Sequence, residues 1–507
     1  MNKRLFPLLL ALLSLLALTG CWEDELPEEN QDQLIPLEEE QEEPVDTSLP
    51  VNFSLPYAPE QTLDPITTPD GMQQVLGSLL YEGLFQLDQE FKPQPMLCER
   101  YDYDPDSYTY TFYLRPGVQF SDGSPLTGND VKATLNRARK STRYSARLYQ
   151  VTRVSAGEGS VTVTLSTPNV GFPALLDIPI VKAGTEDQAA PVGTGPYLLS
   201  PDAVSPQLVI NQLWWQGSGQ PLDRIHLVEA SDWEALLYRF TSHDVQLITA
   251  DLIGEESIST TGNISFLDTD TTTLQYIGCN TRRAPLDDPA LRHALWLSFN
   301  RSTVISAFLS GHGKPAQFPV SPVTNLYPLD LDHRYSKEDF PAALETMDYR
   351  KGRTLTLLVN AENPFKISVA EYIAHCMTDG GVPVTVKALP WESYLAALRE
   401  GNFDLYYGEV RLTADWNLKP LLGTGGSLNF GGWSDPLTDQ QLAAFAASQD
   451  PVVSMRSLCA HLKAQAPILP VCFTSTSVLV HSNVMELTPT AADPFFDLQN
   501  VQIHLRK

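Results

Sequence analysis

Cysteine is scarce, six in 507 residues, with no CxxC spacing and no histidine pattern beside it. Apart from Cys21 near the amino terminus, Cys98, Cys279, Cys376, Cys459 and Cys472 remain. An odd set excludes a complete disulfide framework, so buried free thiols are expected, with one pair left open and no zinc-type site indicated. Positive charge is also short. Lys and Arg number 34 against 61 Asp and Glu, a net charge of −27, and such a surface repels phosphate backbones and argues against nucleic acid as a partner. HExxH, GxSxG and Walker A motifs are all missing, so no recognisable hydrolase motif is present and the chain is no P-loop ATPase. The nine histidines are scattered without ligand spacing. No cofactor is implied.

Long apolar runs are missing except at the start. Lys3 and Arg4 precede an apolar stretch from Leu5 to Leu18, followed by Leu18-Thr19-Gly20-Cys21. A membrane span needs about 20 residues, whereas a basic start, a shorter apolar run and small residues before a cysteine have the layout of a secretory signal. The segment resembles a lipoprotein signal over 1–20, which implies cleavage before Cys21 and lipid on that cysteine, and two or more acyl chains suffice for stable anchoring. Residues 22 to 50 hold twelve Asp and Glu and no Lys or Arg. That composition cannot bury enough apolar surface to order itself, so 21–50 reads as an acidic tether reaching roughly 30 Å. The rest of the chain reads as a globular body. With 43% hydrophobic residues over the whole chain, it can bury a large core in two or more lobes.

Within the body, Tyr108, Tyr110, Phe112 and Leu114 alternate with Thr109, Thr111 and Tyr113, and Val161, Val163 and Leu165 repeat the two-residue period of half-buried strands. Between them Thr127 and Asp130 predict a helix start, with Val131, Leu135 and Ala138 as its apolar face. Further on, Asp288-Pro289 opens a helix that is predicted to run through Leu291, Ala294, Leu295 and Phe299 to a stop at Gly311. Strands at 354–359, 382–389 and 403–407 then alternate with helices at 367–377 and 392–399. This pattern implies parallel pairing with ligand crevices at the carboxyl ends of the strands.

Several of these stretches resemble one family, the peptide and nickel class of periplasmic-type solute-binding proteins. The segment YTYTFYLRPGVQFSDGSPLTGNDVKATLNRA, Tyr108 to Ala138, is similar to its signature. So are LYEGLF (Leu80 to Phe85), PVGTGPYLL (Pro191 to Leu199), WWQGSGQPLDRI (Trp214 to Ile225) and RHALWLSFNRSTVI (Arg292 to Ile305). Where the family usually reads Ala-Ile-Asp-Arg this chain has Ser298-Phe299-Asn300-Arg301, and Asp106-Ser107 stands for an Asp-Gly. The resemblance implies a mixed α/β fold of the two-lobed type II, cluster C kind with an extra domain inserted into one lobe. It divides the body into 51–86 with 190–275 and 484–507 as one lobe, 87–189 as the insertion and 276–483 as the other lobe. It also implies a monomer outside the cytoplasm, held on the cell membrane through Cys21. Such a protein would pass a peptide or other small solute to the permease and ATPase subunits of an ABC importer.

The resemblance also suggests the residues of the cleft. In oligopeptide-binding relatives an aspartate in an Ala-Asp-Tyr-Asn segment, after a Gly-x-Phe-Asp strand, holds the peptide amino terminus. Here Gly401-Asn402-Phe403-Asp404 and Ala414-Asp415-Trp416-Asn417 are similar to that pair, which makes Asp415 the leading candidate, with Trp416 and Asn417 beside it. A buried carboxylate needs a counter-charge, and an incoming ammonium supplies one; the competing role for Asp415 is a cap on the next turn. Trp391 matches a family tryptophan beside the ligand, and Asn429, Phe430 and Trp433 resemble the downstream cleft segment. Aromatic walls accept varied side chains, though plain core packing would use the same residues. Glu82 matches a glutamate that faces ligand in some relatives, and Arg411 sits where it could meet a carboxylate bidentately or simply be solvated. A peptide sensor, a binder of sugars or chelated metals and, remotely, a secreted hydrolase are the other readings of the chain.

Overall fold

A computed structural model describes residues 49–68, 71–200, 205–251, 263–350 and 352–506. The signal segment, the lipidation expected at Cys21 and the tether as far as residue 48 lie outside the described residues. Among the described residues no helix is long and apolar enough to cross a membrane, and the five remaining cysteines are free thiols, four of them buried.

Alternation gives the first sheet its two sides. Thr109–Leu114 buries Tyr110, Phe112 and Leu114, and Ser160–Leu165 buries Val161, Val163 and Leu165. They pair antiparallel with Tyr110 opposite Val163, and Cys98–Asp104 and Val151–Gly157 complete four strands. The helix Gly128–Ala138 brings Val131, Leu135 and Ala138 into the core it shares with this sheet. Asp130 closes its first turn by accepting from the Thr127 N–H at 3.0 Å and the Thr127 hydroxyl at 2.6 Å. A second sheet places Ser54–Tyr57 parallel to Arg224–Glu229, with Gln207–Ile210 and Tyr197–Leu199 antiparallel beyond it.

The third sheet has seven strands. Leu355–Asn360 pairs in parallel with Val384–Leu389 and Leu405–Arg411, and the helices Pro364–Asp379 and Trp391–Glu400 make the crossovers, as the alternation predicts. Two long strands, Ile264–Cys279 and Ile468–His481, run antiparallel beside them, with a register shift between Asp270 and Leu274. These strands serve more than one core. Val478 and Val480 pack with Phe53 and Tyr197, whereas Ile277, Leu469 and Val471 pack with Leu357 and Leu405. The sheet therefore continues through residues 275 and 276, because each long strand outruns a single core. Between the cores the strands carry buried hydroxyls: Thr269 donates to the Thr476 carbonyl at 3.1 Å and Thr271 to that of Thr474 at 2.6 Å.

Two predicted elements differ. The single helix expected from Asp288 to Gly311 is two, Pro289–Trp296 and Arg301–Phe308. Leu297 ends the first, and the Asn300 side chain accepts from the Ser302 N–H at 3.0 Å to start the second. An internal cap thus interrupted an apolar period that was otherwise continuous. The strand predicted at 403–407 is Leu405–Arg411, drawn out by pairing with Thr273–Cys279.

Candidate functional site

The loop after Leu405–Arg411 leaves the sheet beside the register shift of the long strands. Its start is tied there by the Leu412 N–H to the Thr272 carbonyl at 3.0 Å and by the Thr272 hydroxyl to the Leu412 carbonyl at 2.6 Å. Asp404, just before the strand, is gripped by Arg353 through both guanidinium ends, at 2.7 and 2.5 Å. The loop is thus anchored at both ends of its strand, which is how a side chain is held still enough to serve as a site.

Asp415 lies in that loop and is only 6% exposed. One carboxylate oxygen accepts from the Thr413 hydroxyl and, at 3.3 Å, from the Asn417 N–H; the other accepts from Asn169 Nδ2 at 2.8 Å. The Asn169 amide is fixed in turn, donating to Gln150 at 3.0 Å and accepting from the Gly171 N–H at 3.1 Å. Gly171 is needed for the approach, since a Cβ there would lie 3.0 Å from the Asp415 Cβ. Every direct partner of the carboxylate is neutral. Burial raises the Asp415 carboxyl above its ordinary value, and the hydrogen bonds and the charge of Arg147 only partly oppose this. Arg147 is itself desolvated, with its pKa pushed down to about 10, and it is ion-paired to Asp177.

Trp416 is buried with φ of +54°, a left-handed backbone that bulky residues seldom adopt and that clusters at functional positions. Its ring meets Phe91 and Phe473 edge-on at 5.7 and 5.9 Å. Asn417 donates to the Tyr149 hydroxyl at 2.9 Å. Arg411, exposed at the strand end, has no carboxylate within 4 Å among the described residues. The structure therefore gathers Asp415, Trp416, Asn417 and Arg411 with Asn169, Tyr149 and Arg147, which sequence reasoning missed. No spacing could have signalled the Asn169 contact, made across 246 positions.

The other candidates stand in different surroundings. Glu82 is buried in a cage of donors: the Thr194 hydroxyl at 2.8 Å and the indole N–H groups of Trp214 and Trp215 at about 3.0 Å. Trp391 is half exposed, opening the helix Trp391–Glu400 and stacked on Tyr394. Asn429 spends its amide on its own turn, donating to the Gly423 and Trp433 carbonyls and accepting from the Trp433 N–H. Phe430 meets Tyr406 edge-on, and Trp433 lies under Arg292 with its ring N–H on Thr438. Among the described residues no three His, Cys, Asp or Glu side chains are grouped to hold a metal ion.

Residues 92–427 match the family model of bacterial extracellular solute-binding proteins, family 5. This chain belongs to that family. Among curated proteins, the glutathione-binding protein GsiB of Pectobacterium atrosepticum is 26% identical over 471 residues, 84% of this chain and 88% of the relative. GsiB of Escherichia coli K12 is 25% identical over 78% of this chain and 83% of its own length. Among solved structures, HbpA2 from Haemophilus parasuis is 21% identical with a TM-score of 0.76, covering 90% of this chain and 100% of that one. The unliganded open form of the periplasmic murein tripeptide binding protein MppA gives 0.76 at 18% identity, over 90% and 98%. The fold is thus the two-lobed, mixed α/β fold of family 5 solute-binding proteins, and the chain is a solute-binding component of the ABC transport class.

Proposed function

We propose that this family 5 protein is a lipid-anchored receptor that captures peptides between its lobes, holds their amino terminus on Asp415 and delivers them to an ABC permease. The observation that carries the reading is the Asp415 carboxylate: desolvated, met only by neutral donors and raised by burial. An ammonium would supply the charge that the site lacks. Arg411, free of a carboxylate partner among the described residues, suits the ligand's acidic group, and the half-exposed Tyr149 offers aromatic wall. GsiB relatives named as glutathione-binding support a small peptide with a free amine. Lipid on Cys21 would hold the protein at the outer face of the membrane.

Titration calorimetry with a peptide pool, then with a single free-amine peptide and its N-acetylated twin, tests this. Wild type is expected to discriminate strongly, and Asp415→Asn to lose at least about a hundredfold in affinity, since leaving one charge of a buried pair alone costs roughly 3–5 kcal/mol. Equal binding of the two forms by wild type would remove Asp415 from the amino-terminal role. For the anchor, Cys21→Ala is expected to move the protein from the membrane to the soluble fraction with solute affinity intact.

A further inference from the structure

A cavity of about 260 Å³ opens in the region 296–335, apart from the Asp415 loop. Its size is just under the roughly 300–1,000 Å³ of ligand pockets. It forms where the short strand Gly313–Pro315 passes the start of the helix Arg301–Phe308. Arg301 lines it and is only 8% exposed. The guanidinium rests against the Trp296 and Phe299 rings, 4.6 Å from each centroid. Its Nε donates to the carbonyls of Ala316 and Pro470 at 3.1 and 2.8 Å, and Nη1 and Nη2 each give one long bond, 3.3 Å, to the Trp296 carbonyl.

A guanidinium has five N–H groups. Two of those on Arg301 are therefore left without an acceptor among the described residues, and no carboxylate there lies within 4 Å of it. A desolvated cation in this state calls for an anionic acceptor. The lining supplies one carboxylate whose charge reaches Arg301, Asp332, without an ion pair within 4 Å. Asp332 turns to the Tyr327 hydroxyl, 2.8 Å away, and His333 faces Asp339 at 2.7 Å. Arg334 adds a second, exposed cation with no ion pair among the described residues. Lys463 adds a third close by, 5.1 Å from the Trp296 ring centroid. Asn300, at the lip, is neutral where the resembling motif has an aspartate.

We propose that this cavity is a second binding site, for a small planar organic carboxylate whose oxygens take the free N–H groups of Arg301 and whose charge is shared with Arg334. Trp296 and Tyr335 flank its apolar part. The guanidinium fork matches a carboxylate in-plane, and the N-terminus of the helix Arg301–Phe308 adds a favourable partial charge. The site does not depend on the reading of Asp415.

The test is calorimetric titration of the full-length protein with sodium benzoate and with acetate, against a chloride-matched control. Wild type is expected to bind benzoate saturably at one site. Asn300→Asp is the decisive variant, because aspartate caps a helix as well as asparagine does, so the fold is kept while a negative charge returns to the lip. It should weaken benzoate on the order of tenfold or more with an unchanged melting temperature. Asp415→Asn should leave benzoate affinity as in wild type. Absence of saturable binding of both anions by wild type, equal affinity in Asn300→Asp, or loss of binding in Asp415→Asn would each overturn the proposal.

Discussion

Asp415 and Glu82 are two buried carboxylates with raised pKa values and opposite prospects under substitution. Burial is the main cause in both, ahead of the hydrogen bonds that oppose it. The unfolded chain gives up these protons first, so each contributes most below the ordinary carboxylate value near pH 4, and that contribution is lost as pH rises toward the raised values. At neutral pH an ionised Asp415 is a cost to the empty protein. Asp415→Asn is therefore expected to flatten the fall in unliganded stability as pH rises above about 4, read from denaturant midpoints on either side of that value. An asparagine oxygen can still take the Asn169 amide while the Thr413 hydroxyl turns to accept, so the substitution costs only the long bond from the Asn417 N–H. Glu82→Gln fits less well, since the Thr194 hydroxyl can turn to accept from the new NH2 but the Trp215 indole, which donates to both carboxylate oxygens, cannot. It is expected to cost about 1–3 kcal/mol even though it removes the same charge.

At the scale of elements, much was legible because local chemistry and burial agree. The Thr127–Asp130 signal became a helix start, and Asp130 also takes the Ala183 N–H at 3.0 Å, tying that start to a distant loop. Asp130→Ala should lose both functions, about 2 kcal/mol, with Thr127→Ala costing less; thermal unfolding of the two variants checks the order. The parallel strand and helix alternation was equally readable, since its period of two and 3.6 residues is imposed by one buried sheet. Asn300 shows where reading stopped, because an apolar face on both sides of a cap looks like one helix. The cage around Glu82 was hidden for another reason: Trp214 and Trp215 were recognised as a motif, but nothing in a motif says which carboxylate its indoles will face. The Asp415 surroundings depend on Asn169 and Gln150, brought in by tertiary packing alone.

Over the whole molecule, the long strands Ile264–Cys279 and Ile468–His481 join two apolar cores across a stretch of hydroxyl-bearing residues. The buried side chains of that stretch include Thr269, Thr271, Thr474, Ser475 and Ser477, so the cores it joins are expected to melt separately. A calorimetric scan of the solute-free protein should resolve two overlapping transitions, and a saturating solute bound between the lobes should draw them together and upward, by about 2.7 kcal/mol at 100 times its Kd. A single two-state transition without solute would mean that the strands couple the cores on their own.

The hydroxyls of that stretch also set a tempo. Interlocked apolar side chains yield to twisting only by jumping from one packing to another, whereas a threonine hydroxyl can trade one carbonyl for its neighbour with little change in energy. Thr269 and Thr271 are buried yet keep such carbonyl partners, so the two ends are expected to turn about the strands with low internal friction. Filling the joint with methyl groups, as in Thr271→Val, would leave both ends intact and slow their turning.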